Sequence, residues 1–453
     1  MRRRVIRLGA GRCGGAGVTL AAIVALAACS GAPSPAAQRV PAAERTLAPK
    51  PPPPVTMRGY GTVSATPPGC TTATQPAPEL SGSLVTLTRM PQFPVRIPTR
   101  PPVTQRLPNM PFGVVVTPDD HWGFVTLAAS VGVVRIGAVG PVRLVRQVGA
   151  TTGPGTMFSG RGAALTPDGQ YLLAVNPFLG GFTIISTAAA ERGGKDAVLG
   201  QVAVPGGRLS RVRKGAIEVA VTPDGRYAFI SEEDADQVDV FNLSRALAGH
   251  YGAASYVGAI PTQFAPVGLA VSPDGKWLYS TSEAIKSTGN VGSLSIISVA
   301  RAETDPAHSV ITRVRAGCNP VRVITSDDGR VVWVAARASD ALLAFSASAL
   351  ADRSPHPLLA SIRVGEAPVG IGLARDGQLL VIADSDRFDI PGEHASLAVV
   401  DIADMLAGRP ALLGYLPSGA FPRDIASGSD GQLLLVANHD SNQLETIRLD
   451  SLP

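Results

Sequence analysis

From about residue 102 onward, the apolar positions of this chain fall into short bursts separated by polar turn residues, with no credible helical repeat between them. The bursts obey a phrase. A Pro or small residue opens it, a few loosely alternating apolar residues follow, then Thr/Ser-Pro-Asp-Gly or a close variant, then a second apolar run such as Tyr-Leu-Leu-Ala. Seven ten-residue copies occur: PFGVVVTPDD from Pro111, GRGAALTPDG from Gly160, AIEVAVTPDG from Ala216, PVGLAVSPDG from Pro266, PVRVITSDDG from Pro320, PVGIGLARDG from Pro368 and PRDIASGSDG from Pro422. Successive copies start 49, 56, 50, 54, 48 and 54 residues apart. A period of this size, built from strands and tight turns, is the signature of a β-propeller.

Each copy predicts one blade. The small and β-branched residues before the turn (Val114, Val116; Val219, Val221; Leu269, Val271) suit a short strand buried on both faces. Pro-Asp-Gly supplies the turn: Pro presets φ, Asp bonds back to the backbone, and Gly takes positive φ. A second strand follows (171–175, 277–280), then a polar loop, a third strand (181–186, 238–243, 294–299, 397–402, 444–449) and a fourth before the next copy (201–204, 311–314, 361–364). The fold class expected is therefore all-β, a seven-bladed propeller over 102–453. The last unit has only three strands of its own. Val103–Leu107 precedes the first copy as a fourth strand precedes each later one, so it is expected to close the C-terminal blade and remove an exposed edge.

These Ser/Thr-Pro-Asp-Gly blades resemble the YVTN/lactonase-like propeller superfamily, and more loosely the TolB-type propellers. The resemblance runs from about Pro102 to Leu452. It implies a seven-bladed ring, and a membership that spans lactonases and surface or periplasmic binding proteins. Tryptophan–aspartate blades are excluded because no Trp-Asp pair occurs, and quinoprotein blades because three Trp cannot supply one docking Trp per blade.

The N-terminus changes the picture of location. Arg2, Arg3, Arg4, Arg7 and Arg12 precede an apolar stretch at 18–28, too short for a convincing membrane span. The stretch ends Leu26-Ala27-Ala28-Cys29, which resembles a bacterial lipoprotein box. Residues 1–28 read as a lipoprotein signal and Cys29 as the lipidated residue, with an ordinary secretory signal as the alternative. Arg3-Arg4 leaves open a twin-arginine route. The expectation is an extracytoplasmic protein anchored by lipid to the membrane, at its periplasmic or cell-surface face. Those residues carry five Arg and no acid, so the mature chain is near neutral despite a formal net charge of +5, which removes the case for nucleic-acid binding. Between residues 30 and 108 lie 18 of the 39 prolines, and residues 29–101 read as an extended, mobile tether. After processing, Cys70 and Cys318 remain in an oxidising compartment, either bridged, which pins the tether to the ring, or as two unrelated thiols.

The repeat also nominates a site. At the third position of the copies, four blades carry Gly113, Gly162, Gly268 and Gly370, whereas blades three, five and seven carry Glu218, Arg322 and Asp424. Glycine suits close backbone approach near a crowded axis. The three charges are expected to converge on a channel mouth, joined by Arg161 and Arg423 one position earlier, as either a ligand site or a salt-bridge network. Acidic loops (232–236, 384–389, 438–440) suit a hard cation or simple solvation. His439 is the one histidine in a channel-side loop and the candidate general base. No Gly-x-Ser-x-Gly, phosphate loop or HExxH occurs, no cofactor is called for, and no local motif matches lactonase catalytic residues. Two functions remain: a monomeric, lipid-anchored ligand- or protein-binding scaffold facing an unknown protein or cell-envelope ligand, and a lactonase-type, 6-phosphogluconolactonase-like hydrolase using the channel mouth.

Overall fold

The computed structural model describes residues 58–70, 73–81, 84–97, 103–149, 160–194, 196–205, 215–283, 289–389, 392 and 394–449. The expected signal at 1–28, Cys29 as the expected lipid acceptor and the expected tether up to residue 57 lie outside them. Seven four-stranded antiparallel sheets form the blades, joined by one two-stranded sheet. The innermost strands are Val114–Val116, Ala163–Leu165, Ala216–Val221, Pro266–Val271, Pro320–Thr325, Pro368–Ala374 and Pro422–Ser427, one from each repeat copy.

The core is distributed rather than central. Seven apolar layers separate adjacent blades, one for each interface around the ring. Phe124, Val131 and Val133 of the first blade face Leu172, Ala174 and Ile185 of the second, for example. Each blade is thus buried on both faces, which is why its strands read as apolar bursts rather than a clean alternation.

The repeated turn is stitched the same way in five blades. A hydroxyl (Thr117, Thr166, Thr222, Ser272, Ser326) donates to the turn aspartate at 2.5–2.6 Å, and that carboxylate accepts a backbone N–H two residues on at 3.0–3.1 Å. Five short helices, not expected from the sequence, follow the third strands of blades two to six. Each starts at a cap residue ending the strand: Ser186, Asn242, Ser298, Ser346 and Asp401 accept the third N–H of the helix.

Ring closure corrects one expectation. The outer strand of the seventh blade is β1 (Val85–Arg89), which pairs with Gln443–Arg448. An N-terminal strand does close the ring, but it is not Val103–Leu107. That segment, β3, pairs instead with β2 (Phe93–Ile97) in a separate two-stranded sheet. The physical reason is what flanks β1: Leu84 is buried in the layer between blades six and seven, and Met90 in the layer between seven and one. Asn442 completes the joint. Its Oδ1 accepts from the N–H groups of Asn109 and Met110, and its Nδ2 donates to the Met90 carbonyl.

The proline-rich segment is also not a free tether throughout. From Tyr60 it runs along outer blade edges, with Ser64 paired to Ser361, Tyr60 to Leu412 and Glu79 to Tyr415. Cys70 is joined to Cys318 by a disulfide with Cα atoms 5.4 Å apart. The strap therefore covers strand edges on blades five and six before supplying the seventh blade with β1.

Candidate functional site

The inner ends of the repeat copies form the mouth of the central channel. In blades three to seven the pairing between first and second strands slips by a residue at the start of the copy. In a regular strand, consecutive side chains point to opposite faces. The bulge lets the second and third residues of these five copies both look inward.

The third positions meet on the axis. Arg322 of blade five bonds Glu218 of blade three through one guanidinium nitrogen and lies 3.2 Å from Asp424 of blade seven through the other. All three side chains are nearly buried, at 9–14% exposure. Burial pushes the Glu218 carboxyl up to about 7 despite the bond to Arg322, whereas the two carboxylates hold Arg322 in its charged form against its own burial. The glycines of the other blades have the expected reason: a Cβ on Gly113 would stand 2.8 Å from the Arg161 carbonyl, and one on Gly268 2.8 Å from that of Val321. The charges predicted to share a mouth are therefore brought together, but as a network in which Arg322 is committed to protein carboxylates.

The second positions form the floor of a cavity of about 770 Å³ above this network. They are Phe112, Ile217, Val267, Val321 and Val369, an apolar ring, interrupted by Arg161 and Arg423. Arg423 is the unusual member. Its guanidinium carbon sits 3.7 Å from the Phe112 ring centre and 5.5 Å from that of Phe421. Among the described residues no carboxylate is ion-paired with it. Burial, reinforced by Arg322, Arg161, Arg387 and Arg337, pulls its pKa down to about 9. Arg161 stacks on the other approach to Phe112 at 5.0 Å, and Arg387 on Phe421 at 5.7 Å. Arg337 is paired with Glu283 at 2.8 Å.

His439 lines the same cavity. Its ring stands edge-on to Phe112 and Phe421, at 6.3 and 5.7 Å between centres. Nδ1 lies 2.5 Å from Asp440 Oδ1. Burial lowers the His439 pKa, and Arg423 and Arg161 add to the effect beyond what Asp440 returns. The imidazole is thus neutral at pH 7, with Nε2 left to accept a proton.

Of the acidic loops, Glu232 and Asp384 are buried beneath the rim, and Asp236 Oδ1 accepts the Ala265 N–H, a structural bond between blades. Among the described residues no three His, Cys, Asp or Glu cluster as a metal would need. The sequence reading missed Phe112, Phe421, Arg387 and Arg337. Phe112 was detectable, because the second column of the repeat holds it beside two arginines. Phe421 was not. It precedes its copy in a left-handed conformation (φ 53°), as Met110, Ala265, Asn319 and Ala367 do before theirs, and that conformation sets where its side chain goes.

The family model described as "Lactonase, 7-bladed beta-propeller" matches residues 128–369 and 354–452. No curated protein is significantly similar in sequence. Among solved structures, hydrazine synthase of Kuenenia stuttgartiensis superimposes with a TM-score of 0.58 at 17% identity, covering 75% of this chain and 96% of that one. A chain of the mitotic checkpoint complex gives 0.55 at 12% identity, covering 74% and 89%. At these identities the likeness is of fold alone.

Proposed function

The chain belongs to the seven-bladed lactonase propeller family, and from that premise we propose that it is a lipid-anchored, extracytoplasmic propeller whose channel mouth captures a small anionic ligand. The observation that carries the reading is Arg423: a half-buried side chain whose guanidinium is wedged against Phe112 near four further arginines, with no carboxylate in ion-pair contact among the described residues. Leaving such a group without a close ion pair is costly. An incoming carboxylate or phosphate supplies it, in a site walled by apolar side chains where charge-assisted hydrogen bonds are strong. Arg322, the residue singled out by the repeat, supports the floor instead of meeting the ligand.

The test is thermal stabilisation and calorimetry with citrate, malonate and inorganic phosphate as probes. At least one should bind, and Arg423→Gln should cost roughly 1.5–3 kcal/mol of its affinity. No response from the wild type, or an equal response from the variant, would remove the proposal. Anchoring is tested apart: Cys29→Ser should move the protein from the membrane to the soluble fraction.

A second reading rests on the His439–Asp440 pair. A neutral imidazole oriented by a carboxylate, beside Arg423, is suited to draw a proton from water attacking a lactone carbonyl while the guanidinium meets the developing oxyanion. Ring opening of 6-phosphogluconolactone and simpler lactones, followed by acid release, should then be lost in His439→Gln while citrate binding is kept. Binding without turnover in the wild type leaves the capture function standing alone.

A further inference from the structure

A second cavity, of about 450 Å³, lies at the other end of the innermost strands, between the repeat turns of blades four and five. It is lined among others by Asp274, Trp277, Tyr279, Asp328 and Ser348. Tyr279 is anomalous there. It is the third residue of its second strand, a position filled by Phe124, Leu173, Phe229, Trp333, Val381 and Leu435 in the other blades. Only this blade places a phenol at that position, and the hydroxyl is buried with no hydrogen-bond partner among the described residues. Burial together with the charge of Asp274 pushes its pKa up to about 12, which keeps it a donor, and both residues line the cavity. A buried hydroxyl without a partner carries a desolvation penalty that a ligand group can relieve.

The remaining groups define the ligand chemistry. Asp274 is ion-paired with Lys276 at 3.0 Å and Asp328 with Arg330 at 3.6 Å. The local charge is close to balanced, so neither a cation nor an anion is favoured. What remains is a half-buried indole face, two carboxylates able to accept further hydrogen bonds, and two hydroxyls. An aromatic platform bordered by acceptors and hydroxyls matches a neutral polyhydroxylated ring. We propose that this cavity is a second ligand site that takes a neutral saccharide unit, with Trp277 as the stacking face and the Tyr279 hydroxyl as the discriminating hydrogen bond. It is independent of the anion site at the channel mouth.

The experiment is saturation-transfer NMR and calorimetry on the purified protein with N-acetylglucosamine, glucose and mannose as probes. At least one should bind. Tyr279→Phe, which restores the residue type of blades one and three, should keep the fold and weaken binding about tenfold. Trp277→Ala should abolish binding, and Arg423→Gln should leave it unchanged. The proposal falls if none of the three sugars binds, if Tyr279→Phe binds as the wild type does, or if Arg423→Gln removes the sugar, which would place it at the mouth.

Discussion

Arg322 and Arg423 occupy neighbouring columns of the same repeat, yet their environments assign them opposite tasks. Arg322 neutralises Glu218 and Asp424. Replacing it with Ala strands two buried carboxylates, and breaking a buried pair typically costs about 3–5 kcal/mol. Arg322→Ala should therefore lose roughly that much stability in chemical unfolding, whatever the ligand does. Arg423 has aromatic rings and other arginines around it. Arg423→Leu should raise the stability of the ligand-free protein by roughly 1–2 kcal/mol, since a half-buried cation with no ion pair among the described residues is replaced by an apolar side chain, while anion-induced stabilisation disappears. A less stable Arg423→Leu protein would show that the guanidinium is structural. The repeat made both arginines visible as candidates. It did not show which was satisfied, because that depends on carboxylates arriving from blades more than a hundred residues away.

The turn that defines the repeat is also an electrostatic element. Hydroxyl hydrogen bonds hold the carboxyls of Asp119, Asp168 and Asp328 below the ordinary 3.8, and Asp224 and Asp274 are lowered likewise against partial burial. A carboxyl depressed in the folded state favours folding above its unfolded pKa, and that contribution is lost as pH falls through the folded value. The stability difference between wild type and Asp168→Asn should thus be full above about pH 4 and close below it. Melting temperatures from pH 2 to 6 check this; a gap that persists at the acid end would contradict it. The same turn shows how legible an element can be: its Thr-Pro-Asp-Gly letters carry the bond pattern locally. The closing strand was less legible. Val103–Leu107 and Val85–Arg89 both read as extended segments, and the choice fell to β1 because Leu84 and Met90 reach apolar layers flanking the last blade.

For the whole molecule, the strap and its disulfide join distant parts of the chain. Cys70–Cys318 spans 248 residues, and a cross-link over a long loop restricts the unfolded chain strongly. Cys70→Ala should lower stability by roughly 2–5 kcal/mol and speed proteolysis within residues 58–90; equal stability in reducing and oxidising buffer would refute this. By itself the sequence determined the blade, the number of blades and the crowded glycines of the axis, because each is written in residues a few positions apart and repeated at one period. The tertiary structure alone decided which N-terminal strand closes the ring, that the proline-rich segment lies against blade edges, and that of the two arginines lining the cavity Arg322 is ion-paired and, among the described residues, Arg423 is not. Those outcomes depend on side chains from several blades competing for one another's charge and apolar surface, and no local pattern records which of them meet.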